Sequence, residues 1–362
     1  MYKRIVSQLL ALTCAIGLAS APAAAQTTDS TATEASLVSG AQQSRDQWGA
    51  HIVGLTRTLF DGKVVAKANC ANEPAYTCTG LMLSAFEAQD IDYWFSPNPA
   101  GGKLSMSYVI KATSRGSNRV MFGGSGYILW PSSTLATELA QRGLANNAFP
   151  TKYRCGFPQD AYTDQRADNG CGKIALNDPA FDNTGPCQAQ GITTASQWLA
   201  AFGNDNLLFQ QCGFTLQISP AADKQAFDVV EQIQNTLLDT NNTNALGSYN
   251  EIVLQAWPEL EPSRVPLLAF FYVEPDSQQR LVPAVSAQAK EGMKGMKSRQ
   301  VLLNPAGDLD QARQEQANYY QKAKIFAPII RLSGNSWDQL RLNYVNTDQA
   351  AAIPATVNVL PR

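Results

Sequence analysis

The sequence predicts an α+β protein with a mixed or antiparallel sheet core, helices packed at its sides and a disulfide-rich insertion. Three observations carry this. Between Tyr76 and Trp130 the apolar, β-prone runs YTCTGLMLSAF, KLSMSYVIKA and RVMFGGSGYILWP are separated by turn residues. Elsewhere apolar residues recur at helical spacing, as in Trp48, Ile52, Leu55 and Leu59, and again in Phe227, Val230, Ile233 and Leu237. Finally, six cysteines follow an export-type N-terminus, and an even count in an exported chain argues for three disulfides.

The first 25 residues read as a cleaved signal peptide. Lys3 and Arg4 form the basic region, Ile5 to Leu18 the apolar run, and Ala23-Ala24-Ala25 the small-residue cleavage site. Cys14 lacks the small residue expected just before a lipobox cysteine, so the product is expected to be soluble rather than lipid-anchored. Without the leader, 28 Lys and Arg become 26 against 30 Asp and Glu. A balance that weak and mixed points to neither nucleic acid nor an anionic membrane. No later stretch is long and apolar enough for a transmembrane segment.

Residues 26–44 are rich in Thr, Ser, Ala and Gln and are expected to be a flexible leader. A single globular domain follows over 45–345, with a Cys-rich insertion at 155–212 and a loosely held tail over 346–362. Residues 44 to 60 predict an amphipathic helix, with His51 as a packed or partly exposed helix residue. Leu81–Leu83 begins a buried strand. Leu104, Met106 and Tyr108 alternate with Ser105, Ser107 and Val109 in the next, and Tyr127–Trp130 forms a third. Residues 132–143 read as a short helix capped by Ser132 or Ser133.

The insertion is dense in Gly, Asn, Asp and Pro and predicts pinned loops with one helix, Ala195 to Phe202. Ser219-Pro220 opens the clearest helix, Ser219 capping it and Pro220 placed where its missing N–H is harmless. Strands are expected at Glu251–Trp257, Pro266–Val273, Ile325–Leu332 and Trp337–Val345, and a polar helix at 308–323. The basic run Lys290 to Arg299 reads as a solvated loop.

Six cysteines allow fifteen pairings. We expect Cys70–Cys78, Cys155–Cys171 and Cys187–Cys212, each closing a short sequence loop. With no C-x-x-C and a single histidine, zinc is not indicated, and no metal requirement is expected. Asp160, Asp164 and Asp168 with Asn169 lack EF-hand spacing and read as a solvated acidic turn. A serine triad would have to use His51 and lacks G-x-S-x-G, and there is no Walker A or G-x-G-x-x-G loop.

CTGLMLSAF, the SPNP connector, SMSYV, CGFPQDAYTDQRADNGCG, GITTASQW and QCGF together resemble the halovibrin family of secreted bacterial proteins. The likeness runs from about Trp48 to Tyr344, and the cysteine-bounded segment is its most specific part. Halovibrins are described as exported ADP-ribosyltransferases. The resemblance therefore implies an ADP-ribosyltransferase-like fold, NAD as substrate and release to the medium or periplasm of a Gram-negative bacterium. ADP-ribose would pass to a host protein acceptor, as in a toxin or virulence factor, or NAD would simply be hydrolysed.

Breaking the nicotinamide–ribose bond passes through an oxocarbenium-like state that a carboxylate beside the sugar stabilises. By this resemblance Glu251 is the catalytic carboxylate, and Ser105 and Ser107 are the bracing pair of a Ser-x-Ser strand that lines the NAD site. Ser84 stands where the family's strand carries the arginine that clamps the NAD phosphates, and a hydroxyl cannot replace a bidentate cation. Arg57, Arg115 and Arg119 are the substitutes the sequence offers. A non-catalytic secreted binding protein on the same scaffold, or a different secreted hydrolase using the same cleft, are the competing expectations.

Overall fold

The structure is a computed structural model that describes residues 42–64, 70–85, 103–111, 124–144, 152–159, 171–172, 185–203, 211–239, 250–255, 265–274, 309–335, 339–346 and 353–360. Signal peptide, acidic turn and basic 290–299 run lie outside these residues. The described part is a mixed α and β structure of five α-helices and a large mixed sheet.

The strands are β1 (Gln42–Ser44), β2 (Leu81–Ala85), β3 (Lys103–Val109), β4 (Ser125–Leu129), β5 (Tyr153–Phe157), β6 (Phe214–Thr215), β7 (Glu251–Gln255), β8 (Leu267–Val273), β9 (Ile329–Ser333), β10 (Arg341–Tyr344) and β11 (Thr356–Asn358). Nine of them form one sheet in the order β10-β9-β8-β4-β2-β3-β7-β5-β6. Neighbours are antiparallel except β8 and β9, which run parallel. The helices are α1 (Arg45–Phe60), α2 (Ser132–Gln141), α3 (Ala195–Phe202), α4 (Pro220–Asp239) and α5 (Leu309–Ala323).

Strand alternation sends apolar side chains to both sheet faces, and each face has its own helices. On the first face Met82, Met106, Tyr108, Tyr127, Ile252, Leu254 and Phe270 pack with residues of α3, α4 and α5. On the second, Leu81, Leu83, Val109, Ile128, Phe271, Ile330 and Leu342 pack with α1 and α2. Central strands covered on both sides read as continuous apolar runs, which is why LLAFFYV of β8 is buried along its whole length.

Local sequence sets the helix ends. Ser219 Oγ accepts from the Ala222 N–H at 3.3 Å, satisfying an orphan donor in the first turn of α4, and the Asp223 carboxylate reaches back to accept from the Ile218 N–H before the cap at 3.0 Å. Thr194 and Gln197 form a reciprocal capping box on α3. The cap expected at Ser132 or Ser133 is absent: Pro131 precedes the first turn of α2, and no side chain caps it. Ser133 Oγ instead donates to Glu73 at 3.0 Å. Gly49 interrupts the apolar face of α1 because a Cβ there would lie 2.4 Å from the Tyr344 ring.

Two expectations about chain organisation are corrected. The Cys-rich insertion is not only loops: Tyr153–Phe157 enters the main sheet as β5, between β7 and β6. The tail is not loose over 353–360. β11 pairs antiparallel with β1, at the end of the expected flexible leader, and Val357, Val359 and Leu360 are buried. The Phe326 N–H also donates to the Asn358 carbonyl at 2.7 Å. Apolar residues spaced through TVNVL supply the burial that holds this end.

Asn250, just before β7, is fully buried and stitches three elements together. Its Oδ1 accepts from the Tyr108 N–H at 2.7 Å, and its Nδ2 donates to the Tyr108 carbonyl and to Gln234 Oε1 of α4, both at 3.0 Å. Asn250→Ala removes all three bonds and takes from the buried Tyr108 backbone the side-chain partner of its N–H and carbonyl. The expected cost is about 2–3 kcal/mol, read as a lowered denaturation midpoint. On the same helix, burial first and the Asp228 charge second push the Glu231 carboxyl up from 4.5 to about 7, with Lys224 pulling it back. A carboxyl raised on folding favours the native state least when ionised, so stability falls as pH rises from about 4.5 to about 7. Glu231→Gln should flatten that slope and raise stability at pH 8 by about 2 kcal/mol in denaturant titrations.

Candidate functional site

β3 and β7 lie side by side, with Ser105 opposite Val253 and Met106 opposite Ile252. One step further the same register sets Ser107 beside Glu251, and the Asn250 side chain on Tyr108 closes the step after that. Ser107 and Glu251 share the second face. Met106, Tyr108, Ile252 and Leu254 occupy the first, and Val109 and Val253 the second. Laterally adjacent residues in an antiparallel pair have Cα atoms about 4.5–5.5 Å apart.

Both groups are buried, Ser107 at 0% and Glu251 at 1% relative exposure. Ser107 Oγ has no hydrogen-bond partner among the described residues, an unusual state for a buried hydroxyl. Leu83 flanks Ser107 on the β2 side, and Phe157 stands opposite Glu251 on the β5 side. Phe157 packs with Cys155, Cys171 and Val253 in a small apolar cluster of its own. The disulfide between Cys155 and Cys171 thus forms part of the wall beside Glu251. The other two disulfides are Cys70–Cys78 and Cys187–Cys212.

The remaining sequence-derived positions divide. Ser105 shares β3, but its side chain lies outside the described part. Ser84 is not brought to this site. It pairs with Tyr127 in the ladder, and alternation places it with Met82 on the first face, opposite Ser107. Arg57 is occupied elsewhere: its Nε and Nη2 both donate to the Leu342 carbonyl, at 3.1 and 2.5 Å. Arg115 and Arg119 lie outside the described residues.

His51 is a bridging group rather than a base. Its Nε2 lies 3.2 Å from Glu138, which also accepts from Arg142 Nε at 2.9 Å, while the Arg142 guanidinium sits 4.8 Å over the Trp48 ring. Burial pushes the Glu138 carboxyl up, but the hydrogen bonds from His51 and Arg142 outweigh it and hold it below its ordinary value. This network ties α1 to α2. Sequence reasoning missed Asn250 and Phe157 as neighbours of Glu251. The Asn-Glu pair opening an apolar strand was the one available signal.

Among the described residues no group of three or more His, Cys, Asp or Glu is arranged to hold a metal ion, and no helix is long and apolar enough to cross a membrane. Three disulfides fit folding in an oxidising compartment. The chain matches no protein-family model and no curated protein. What the described part defines is a disulfide-bonded α and β protein with a buried carboxylate and a buried, unpartnered hydroxyl on adjacent strands.

Proposed function

We propose that this is an exported, halovibrin-like enzyme with an ADP-ribosyltransferase-like sheet, which cleaves the nicotinamide–ribose bond of NAD. The observation that carries the reading is the placement of Glu251 and Ser107 side by side on one sheet face, with Ser107 Oγ unpartnered. A carboxylate held there stabilises the developing oxocarbenium charge, and the serine hydroxyl hydrogen-bonds the ribose. The acceptor is a protein side chain in the transferase reading and water in the glycohydrolase reading. Because both groups are covered, substrate access requires movement of the wall beside them.

One observation favours a second reading, a non-catalytic binding protein on the same scaffold. None of the β2, β3 and β7 sequences, LMLSA, KLSMSYV and EIVLQ, contains an arginine. The phosphate clamp must then come from elsewhere or be missing. Purified mature protein incubated with NAD labelled in the nicotinamide ring separates the two. Released nicotinamide supports the enzyme; no release, with or without candidate acceptor proteins, leaves the binding protein.

A further inference from the structure

At the C-terminal end of α1, where the chain leaving β3 meets the start of β10, a cleft of about 320 Å³ opens to solvent. Its polar lining is Arg57, Asp61, Lys111, Arg341 and Asn343. The charges are not evenly matched. Lys111 Nζ lies 3.6 Å from Asp61, so these two opposite charges offset each other in the count and two arginine charges remain. Arg57 is fixed by its two hydrogen bonds to the Leu342 carbonyl, which leaves Nη1 without a protein partner among the described residues. Among the described residues the Arg341 guanidinium makes no hydrogen bond or ion pair, and neither does the Asn343 amide group.

Two arginines and an asparagine, all with N–H donors unused among the described residues, therefore line one concave surface. Arg57 is held in place before any ligand arrives, so little side-chain entropy is lost when it binds. Phe60 and Leu342 form the buried floor beneath these groups, and Leu340 is a half-buried apolar wall. The C-terminal end of a helix disfavours an anion. Here its last carbonyls are already engaged, since the N–H groups of Asp61, Gly62 and Lys63 donate to Arg57, Leu59 and Thr58.

We propose that this cleft binds a small phosphate monoester. Its dianionic phosphate sits between Arg57 and Arg341 with the Asn343 amide as a further donor, and its organic part lies against Leu340. Two unpaired cations match a dianion better than a carboxylate, and guanidinium forks suit phosphate oxygens. The volume suits a compact ligand. The site is separate from that of Ser107 and Glu251. Lys111 lies four residues beyond Ser107, two past the end of β3, and Val109 is buried between them.

Calorimetric titration of the mature protein with phenyl phosphate, inorganic phosphate and phenol tests this. Phenyl phosphate is expected to bind one to one, more tightly than inorganic phosphate, and to weaken as salt is added. Phenol should not bind. Arg341→Gln should weaken phenyl phosphate by at least about tenfold, the contribution of one charge-assisted hydrogen bond, without moving the thermal midpoint. Lys224→Gln, at an exposed pair on α4, should bind as the parent does. No binding at millimolar phenyl phosphate, equal binding by Arg341→Gln, or equal binding of phenol would each overturn the proposal. Inorganic phosphate binding as tightly as the ester would overturn the place given to Leu340.

Discussion

Glu251→Gln is expected to cut nicotinamide release from NAD by at least about a hundredfold, while leaving the circular dichroism spectrum and thermal midpoint close to those of the parent. The amide keeps the shape of the carboxylate and removes its charge. Any loss of rate therefore reports charge stabilisation in the transition state and not packing, and groups used in that way contribute on the order of a hundredfold or more. Ser107→Ala is the companion measurement. Removing a buried hydroxyl that has no partner should leave stability unchanged or raise it by up to about 1 kcal/mol, because an unsatisfied polar group has been taken out of the interior. If the hydroxyl meets the ribose, the same variant should still lose about tenfold in turnover. Gain of stability with loss of rate is the signature of a functional group kept at a structural cost. Turnover that survives Glu251→Gln would remove Glu251 from the chemistry and leave the NAD reading standing on other residues.

How much of this was legible beforehand follows from the range of the signals. The span of α3 and the cap of α4 rest on local signals: Ser219 before Pro220 was readable, and the box of Thr194 with Gln197, which the sequence reading passed over, is as short. The apolar pattern also located β2, β3, β4, β7 and β8, since residues buried on both faces cannot be polar for long. What failed was non-local. β5 is five residues with a register shift between Tyr153 and Cys155, and β6 is only two, too short to show a period. β1 and β11 exist because chain ends far apart in sequence pair with each other.

The site illustrates the same limit. Ser84 and Ser107 are both serines on strands, yet which face each takes depends on the β2–β3 and β2–β4 registers, and a shift of one residue between β2 and β3 would put both on one face. The adjacency of Ser107 and Glu251 likewise rests on a pairing between segments more than a hundred residues apart in the chain. The sequence marks Glu251 as an acid opening an apolar strand. It does not mark its burial, which comes from β5 and its disulfide lying alongside.

Removing that disulfide, by Cys155→Ala together with Cys171→Ala, is expected to cost about 3 kcal/mol of stability and to open the wall beside Glu251. The first figure follows from the loop of 16 residues that the bond closes. The second follows from position. Cys155 is in β5 opposite Val253 and Thr215, Phe157 stands opposite Glu251, and both pack with Cys171. Gly213 holds the same wall from behind. Its N–H donates to the Cys171 carbonyl at 3.1 Å, and its carbonyl accepts from the Cys187 N–H at 2.8 Å. The residue before it, Cys212, is bonded to Cys187, so this glycine couples the two disulfides of the insertion. A Cβ at Gly213 would lie 2.4 Å from Cys155 Sγ and 2.8 Å from the Phe157 ring. Gly213→Val should therefore push on both while leaving every cysteine in place, at a cost of about 1–3 kcal/mol. Hydrogen exchange distinguishes wall movement from general loosening. In both variants the amides of β5 and β7 should exchange faster than the fall in global stability accounts for, while those of β8 and β9 track it. Uniform acceleration across the whole sheet would mean that the disulfide only stabilises the fold and that Glu251 is covered by something else.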